Sequence, residues 1–262
     1  MKMRILFIGD VVGAPGRGAV ARWLPALKQK HAIDVTILNA ENAAAGRGIT
    51  AALAEELFSA GADGITLGDH VWDQKDLIPY LSKEPRILRP ANLPPSTPGR
   101  GCATLETPRG PVTIISLLGR VFMGLPADCP FRVVDALLSS LPKAHGPVLV
   151  DMHAEATSEK VAMGWHLDGR VSAVVGSHTH VQTADETLLP KGTAYLTDLG
   201  MTGPTESVIG RTVESVLLKF RTGMPSKFDV ATGAVVLQGA VIEVRTETGK
   251  ALSIARIQEK DA

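Results

Sequence analysis

Two histidines stand one residue apart in Gly176-Ser177-His178-Thr179-His180, directly after the apolar run Val171-Ser172-Ala173-Val174-Val175. That run is short, rich in β-branched residues and closed by a glycine, so it reads as a buried strand. Imidazoles just past a strand end can aim at one point if the backbone turns there. Neutral nitrogen donors on a rigid scaffold suit a transition metal. An HxH pair alone is a weak signal, because such pairs also occur on exposed strands and in loops. Carboxylates and further histidines have to reach the same place.

Other strand-like runs end in the same way. Asp10 follows Arg4–Ile8, and Asn39-Ala40-Glu41-Asn42 follows Asp34–Leu38. Asp69 and His70 follow Gly64–Leu67, while Asp151 and His153 follow Val148–Val150. Ligands of open α/β sheets bind outside the carboxyl ends of the strands. Four of the seven histidines, His70, His153, His178 and His180, fall at such ends. His31, His145 and His166 do not, and read as surface or core-edge residues. Taken singly, each position has a bland reading: Asp69 as a helix cap, Glu41 as a helix-start carboxylate, His153 as a satisfied buried histidine. Their joint placement argues against it. So many carboxylates and histidines exceed the needs of one metal, whereas two metals would share a bridging carboxylate and a bridging water. Gly13, Gly16 and Gly18 after Asp10 form neither GxGxxG nor a GK[ST] phosphate loop, which sets aside a dinucleotide site with Glu41 as the ribose acid.

The elements that must position these residues alternate. Gly18–Lys30 has a helical pattern with Pro25 as a kink, and Thr50–Ala60 is a helix with Thr50 as N-cap and Gly61 past its end. After the Pro/Gly-rich passage 89–101, Cys102–Glu106 and Val112–Leu117 form a hairpin around Thr107-Pro108-Arg109-Gly110, a switch to antiparallel pairing. The loop Gly119–Pro130 is long and reads as a functional lid or rim. Phe131–Leu141 is helical and Thr193–Leu196 a strand. The end, Val213–Phe220, Ala234–Leu237, Ala240–Arg245 and Leu252–Ile257, reads as β-rich. One domain over residues 1–262, a mixed-sheet α/β sandwich, accounts for this order.

Composition narrows the function. The 262 residues carry 27 basic and 27 acidic side chains, so no global field favours nucleic acid or a membrane surface. With 4% aromatics, an extended nucleic-acid platform of basic grooves and stacking rings is disfavoured. No run approaches a membrane span, and the N-terminal apolar run is too short for a signal peptide. Cys102 and Cys129 give no framework and no CxxC, which points to the reducing cytoplasm. Nothing in the sequence opposes a homo-oligomer.

On these residues the chain resembles the calcineurin-like metallophosphoesterases, and more closely the YmdB-type bacterial phosphodiesterases described as acting on cyclic nucleotides. The segments that carry the resemblance are Ile8–Gly13, Asn39–Asn42, Gly68–His70, Asp151–Lys160 and Gly176–Asp185, in the family's order over nearly the whole chain. The resemblance implies a four-layer αββα sandwich with mixed sheets and a dinuclear centre, of iron first and of manganese or zinc otherwise. Asp10, Glu41 and His180 would hold the first metal. Glu41 would bridge to a second, completed by Asn42, Asp69, His153 and His178. A metal-bridging hydroxide would attack phosphorus in a cyclic nucleotide such as 2′,3′-cyclic AMP, or in another small phosphodiester, with His70 as proton donor. Asp73 or a backbone carbonyl would orient the other nitrogen of His70. Arg120 and Phe122, with Thr157, Ser158 and Lys160, are candidates for substrate contacts. The chain departs from the family at Asp69, where asparagine is usual. A carboxylate there lowers the charge of the site by one, which implies either a weaker pull on anionic substrates or a more oxidised Fe(III)–Fe(II) pair. The competing reading is a metal-binding regulatory or RNA-associated protein with incidental hydrolase activity.

Overall fold

Alternating apolar residues in the first strand already require two buried faces. Met3, Ile5 and Phe7 join one core cluster and Leu6 and Ile8 another, all without solvent exposure. The computed structural model describes residues 1–142 and 146–261. The first half of the chain runs β1 (Lys2–Ile8), β2 (Asp10–Val11), α1 (Gly13–Lys30), β3 (Val35–Asn39), α2 (Ala51–Ser59), β4 (Gly64–Thr66), α3 (Leu77–Leu81) and β5 (Ile87–Leu88). Then come β6 (Cys102–Leu105), β7 (Val112–Leu118), α4 (Pro130–Ser140), β8 (Val148–His153), α5 (Thr157–Leu167) and β9 (Ala173–Ser177). The remainder is β10 (Thr187–Leu188), β11 (Ala194–Leu196), β12 (Met201–Pro204), α6 (Val213–Thr222), β13 (Val235–Arg245) and β14 (Ala251–Lys260).

Two mixed sheets result. The first has the order β2-β12-β13-β1-β3-β4-β5, with β14 on β13, and the second has β10-β11-β9-β8-β7-β6. Strands β1, β3, β4 and β5 run parallel, as do β7, β8, β9 and β11. One core lies between the sheets, where Ile5, Phe7 and Ile37 face Ile114, Leu149 and Val175. A second lies under α1 and α2, a third under α4 and α5. This is the four-layer αββα sandwich with mixed sheets. Its layers put the carboxyl ends of both parallel sets at one edge.

The details that differ from the sequence reading have local causes. Val213–Phe220 is not a strand but most of helix α6. Apolar residues at 213, 216, 217 and 220 have helical spacing, and Gly223 closes the helix in the left-handed region at φ +71°. Helix α1 begins at Gly13 rather than at Gly18, and α5 occupies a stretch to which the sequence assigned no element; glycines in both weaken the helical signal. Strand β9 runs through Gly176 to Ser177 instead of stopping before the glycine. A Cβ at Gly176 would come within 1.8 Å of the Thr197 carbonyl oxygen, so glycine marks close backbone approach there and not a strand end. Strand β8 likewise continues through His153. His145 lies outside the described residues; His31 caps the end of α1, and His166 bonds Asp135 at 2.9 Å on the surface of α5. Cys102 and Cys129 are free and half-buried. Among the described residues, no helix is long and apolar enough to cross a membrane.

Candidate metal centre

The extra residues at the ends of β8 and β9 decide the floor of the site. Parallel register sets His153 beside Ser177, and Asn39 beside Thr66. Alternation then turns Asn39, Asp151, His153 and Ser177 toward the space between the sheets, where none is exposed. They satisfy one another. Ser177 Oγ donates to Asp151 Oδ1 at 2.6 Å, and Thr66 Oγ1 donates to Asp151 Oδ2 at 2.5 Å. Because the serine proton is committed, its oxygen accepts from His153 Nδ1 at 2.8 Å, which leaves His153 Nε2 as the nitrogen turned to the carboxylates. Asn39 Nδ2 lies 3.2 Å from Asp151 Oδ2, and its Oδ1 accepts from the Glu41 amide at 3.1 Å.

The other two imidazoles are fixed on the same plan. His178 Nε2 meets Glu155 Oε2 at 3.2 Å, leaving Nδ1 to face inward. His180 Nδ1 donates to the Ile209 carbonyl at 2.9 Å, leaving Nε2. The backbone turns sharply at both residues, with φ +97° at His178 and +64° at His180, a conformation that costs a non-glycine residue on the order of 1–3 kcal/mol. Thr179 between them holds the turn. Its amide and hydroxyl both donate to Asp198 Oδ2, at 3.2 and 2.8 Å, and Lys160 Nζ pairs with that oxygen at 2.7 Å.

The inward nitrogens converge on carboxylates. His153 Nε2 is 3.0 Å from Glu41 Oε1 and 3.1 Å from Asp69 Oδ1, and His178 Nδ1 is 3.3 Å from the same Asp69 oxygen. Donor atoms of Glu41, Asp69, His153 and His178 all lie within 4.8 Å of one another. A Cβ at Gly68 would fall 2.2 Å from the His153 ring and 2.4 Å from Glu41, so this neighbour of Asp69 must be glycine. His180 Nε2 stands apart, 3.9 Å from Asp10 Oδ1 and 3.2 Å from Asn42 Nδ2. Asn42, expected with the second metal, therefore sits on the His180 side.

Electrostatics argue for a cation. Burial pushes the Asp10 carboxyl up to about 7, against the pull of His153. Burial also works to raise Glu41 and Asp69, yet the charge and hydrogen bonds of His153, with His178 at Asp69, hold both below the ordinary carboxylate range. His153 is driven well above an ordinary histidine, since Glu41 and Asp69 outweigh its burial. Crowded buried carboxylates need positive charge, and a metal ion supplies it without a proton. Asp10 Oδ1 is buried without a hydrogen-bond partner, the condition of a metal-binding oxygen rather than a structural one. Oxygen and imidazole donors with their outer nitrogens tied down fit a divalent transition metal.

His70 lies beside this group. Its amide donates to Glu41 Oε2 at 3.0 Å, and Nδ1 meets Asp73 Oδ2 at 3.0 Å, so Asp73 and not a backbone carbonyl orients the ring. Arg47 Nε bonds the same Asp73 oxygen at 2.9 Å.

The expected substrate contacts fall elsewhere. Lys160 is 1% exposed and committed to Asp198, so it positions the histidine turn and reaches no solvent. Thr157 and Ser158 occupy the exposed first turn of α5. Arg120 is exposed with its amide on the Glu159 carboxylate at 3.0 Å, and Phe122 is 85% exposed. None of these five lines the cleft of about 370 Å³ that opens over Glu41, His70, His178 and His180. Nor does any residue of 119–130; Asn92 instead pins that loop through Leu118 and Asp128. The far wall comes from residues 208–211, α6 and Phe228, which no spacing in the sequence connects to the histidines. Asp151 had a signal, since it shares strand parity with His153; Ser177, out of phase with His178 and His180, had none.

Comparison with known proteins bears on the family and the fold. The model of a family described as YmdB-like protein matches residues 6–257. A 2′,3′-cyclic-nucleotide 2′-phosphodiesterase of Bacillus subtilis (strain 168) is 48% identical, with 99% of this chain and 98% of the relative covered. A crystal structure of a hypothetical protein from Thermus thermophilus superposes with a TM-score of 0.92 at 44% identity, covering 99% and 100% of the two chains. A Mycoplasma pneumoniae structure described as a novel phosphatase gives 0.94 at 35% identity, covering 99% and 94%. By sequence along almost its whole length, and by fold, the chain belongs to the YmdB-like family.

Proposed function

We propose that this protein is a metal-dependent phosphodiesterase for 2′,3′-cyclic nucleotides or similar small phosphodiesters. Two ions, iron first and manganese or zinc otherwise, would be held by Asp10, Asn42 and His180 on one side and by Asp69, His153 and His178 on the other, with Glu41 between. The observation that carries the reading is the common plan of the three histidines: each has its outer ring nitrogen bonded to protein and its inner one turned to a carboxylate. The name of the 48% identical relative supports the reaction class. When bound, such ions would acidify a water and neutralise charge on phosphoryl oxygens.

The chain's own residues supply the rest. His70 lines the cleft, and with Nδ1–H donating to Asp73, its ring in the cationic form offers Nε2–H to the departing ester oxygen. Arg47 holds Asp73 in place from outside. Glu41 accepts the His70 amide and so ties the proton donor to the ligand group. The test is metal analysis of the purified protein, followed by turnover of bis-p-nitrophenyl phosphate and 2′,3′-cyclic AMP. His70→Ala should lower kcat about 100-fold or more with metal content unchanged. A fully metallated protein that turns over neither substrate, yet loses RNA or partner binding when the centre is mutated, would replace this reading with the regulatory one.

A further inference from the structure

The cleft over the ligand group is chemically two-sided. Its floor is carboxylate and imidazole; its far wall is Val208, Ile209, Val216, Phe220 and Phe228. A phosphodiester alone is a small polar anion and has no surface to cover such a wall. Only two of the six phenylalanines in this chain stand there, and Phe220 leaves 78% of its surface exposed at the rim. A large ring held open to solvent beside a polar floor is an unused stacking surface.

The wall is tied to the floor. Ile209 sits at φ +47°, a strained value for a β-branched residue, and this turns its carbonyl onto His180 Nδ1 while its side chain lines the cleft. Arg211 donates to the Phe228 carbonyl at 2.9 Å and to the carbonyls of Ala45 and Gly46, in the loop that follows Glu41 and Asn42. Phe228 is therefore fixed relative to the ligands, while Lys219 Nζ lies 5.0 Å from its ring centroid and adds one cation at the polar margin.

We infer that this wall is the subsite for the nucleobase of the substrate, seated on Phe228 and closed by Phe220, with the phosphodiester over the ligand group. The inference rests on the phosphodiesterase reading and adds what selects the substrate: a flat, uncharged aromatic group attached through a sugar.

The test compares 2′,3′-cyclic AMP with methyl riboside 2′,3′-cyclic phosphate, which has the same cyclic diester and no base, using the metal-loaded full chain. The wild type should favour cyclic AMP in kcat/KM. Phe228→Leu, and separately the surface variant Phe220→Ala, should collapse that preference about 10- to 100-fold, chiefly through KM. Equal losses on both substrates, or no change in the ratio, would overturn the subsite. Saturation-transfer NMR with adenosine reads the wall without turnover. Transfer to the base protons in the wild type, lost in Phe228→Leu, is expected, and no transfer in the wild type would overturn the proposal. If adenosine binds while neither diester is hydrolysed, the subsite stands and the reaction assignment falls.

Discussion

His153, His178 and His180 each give up one ring nitrogen to a protein acceptor so that the other faces a carboxylate of the centre. For His153 the acceptor is Ser177, itself fixed by Asp151. Ser177→Ala frees the His153 tautomer and strips a buried carboxylate of a donor. It should cost about 1–3 kcal/mol of stability and weaken metal affinity about 10- to 100-fold, read by thermal unfolding and by metal titration. Asp69 is the other residue whose chemistry is specific. Its hydrogen bonds from His153 and His178 keep it ionised against burial, so it contributes a full negative charge where the asparagine expected from the resemblance would have none. Asp69→Asn should either raise kcat/KM for anionic diesters or, where the metal found is iron, shift it toward Fe(II). Unchanged kinetics together with an unchanged redox state would remove the charge argument.

Helix α5 shows how an element can serve a site it does not line. It carries Lys160 inward to Asp198, and Asp198 holds Thr179 between the two strained histidines. Lys160→Met leaves a buried carboxylate unpaired, so a loss of about 3–5 kcal/mol is expected, with partial recovery in the Lys160→Met/Asp198→Asn double variant by calorimetry. The end of β11 is fastened by Asp185, which accepts from the Thr183 hydroxyl at 2.6 Å and from the amide and hydroxyl of Thr197. Burial would raise this carboxyl, but the hydroxyl bonds outweigh it and hold the pKa below its ordinary 3.8. The folded state therefore binds this proton less tightly than the unfolded one. Its stabilisation is complete above about pH 4 and is lost as pH falls through the depressed folded value. Asp185→Asn should cost about 1 kcal/mol at pH 7, since solvent screens the partly exposed carboxylate. The gap to wild type should close in unfolding curves recorded below pH 4.

Across the whole molecule, the ligand candidates divide by sheet. Asp10, Glu41, Asn42 and Asp69 follow strands of the first sheet, and His153, His178 and His180 stand at or just past the strand ends of the second. Ions at their junction would join the two sheets at the edge where the inter-sheet core ends. Removing them leaves carboxylates facing one another with no cation. Chelation should lower Tm by about 5–10 °C in calorimetry, the equivalent of a ligand present at about 100 times its Kd. Re-addition of metal should restore it. A Tm indifferent to chelator would mean that the junction is held without ions.

The sequence by itself determined the mixed-sheet α/β order and most of the residues that meet at the candidate centre. Strand parity, glycine and proline punctuation and short-range spacing are local, and strand ends in an α/β order share one edge whatever the loops do. Asp10, Glu41, Asp69, His70, His153, His178 and His180 were legible for that reason. What only the tertiary structure decided depends on contacts between distant segments. Lys160 looked like a phosphate ligand beside His153, but helix α5 turns it into the core against Asp198. Gly176 looked like a strand end, but Thr197 packs where its side chain would be, and this brings Ser177 to the floor. Phe220 and Phe228 reach the cleft because α6 and the segment after it fold back over the strand ends, a return that no local pattern records.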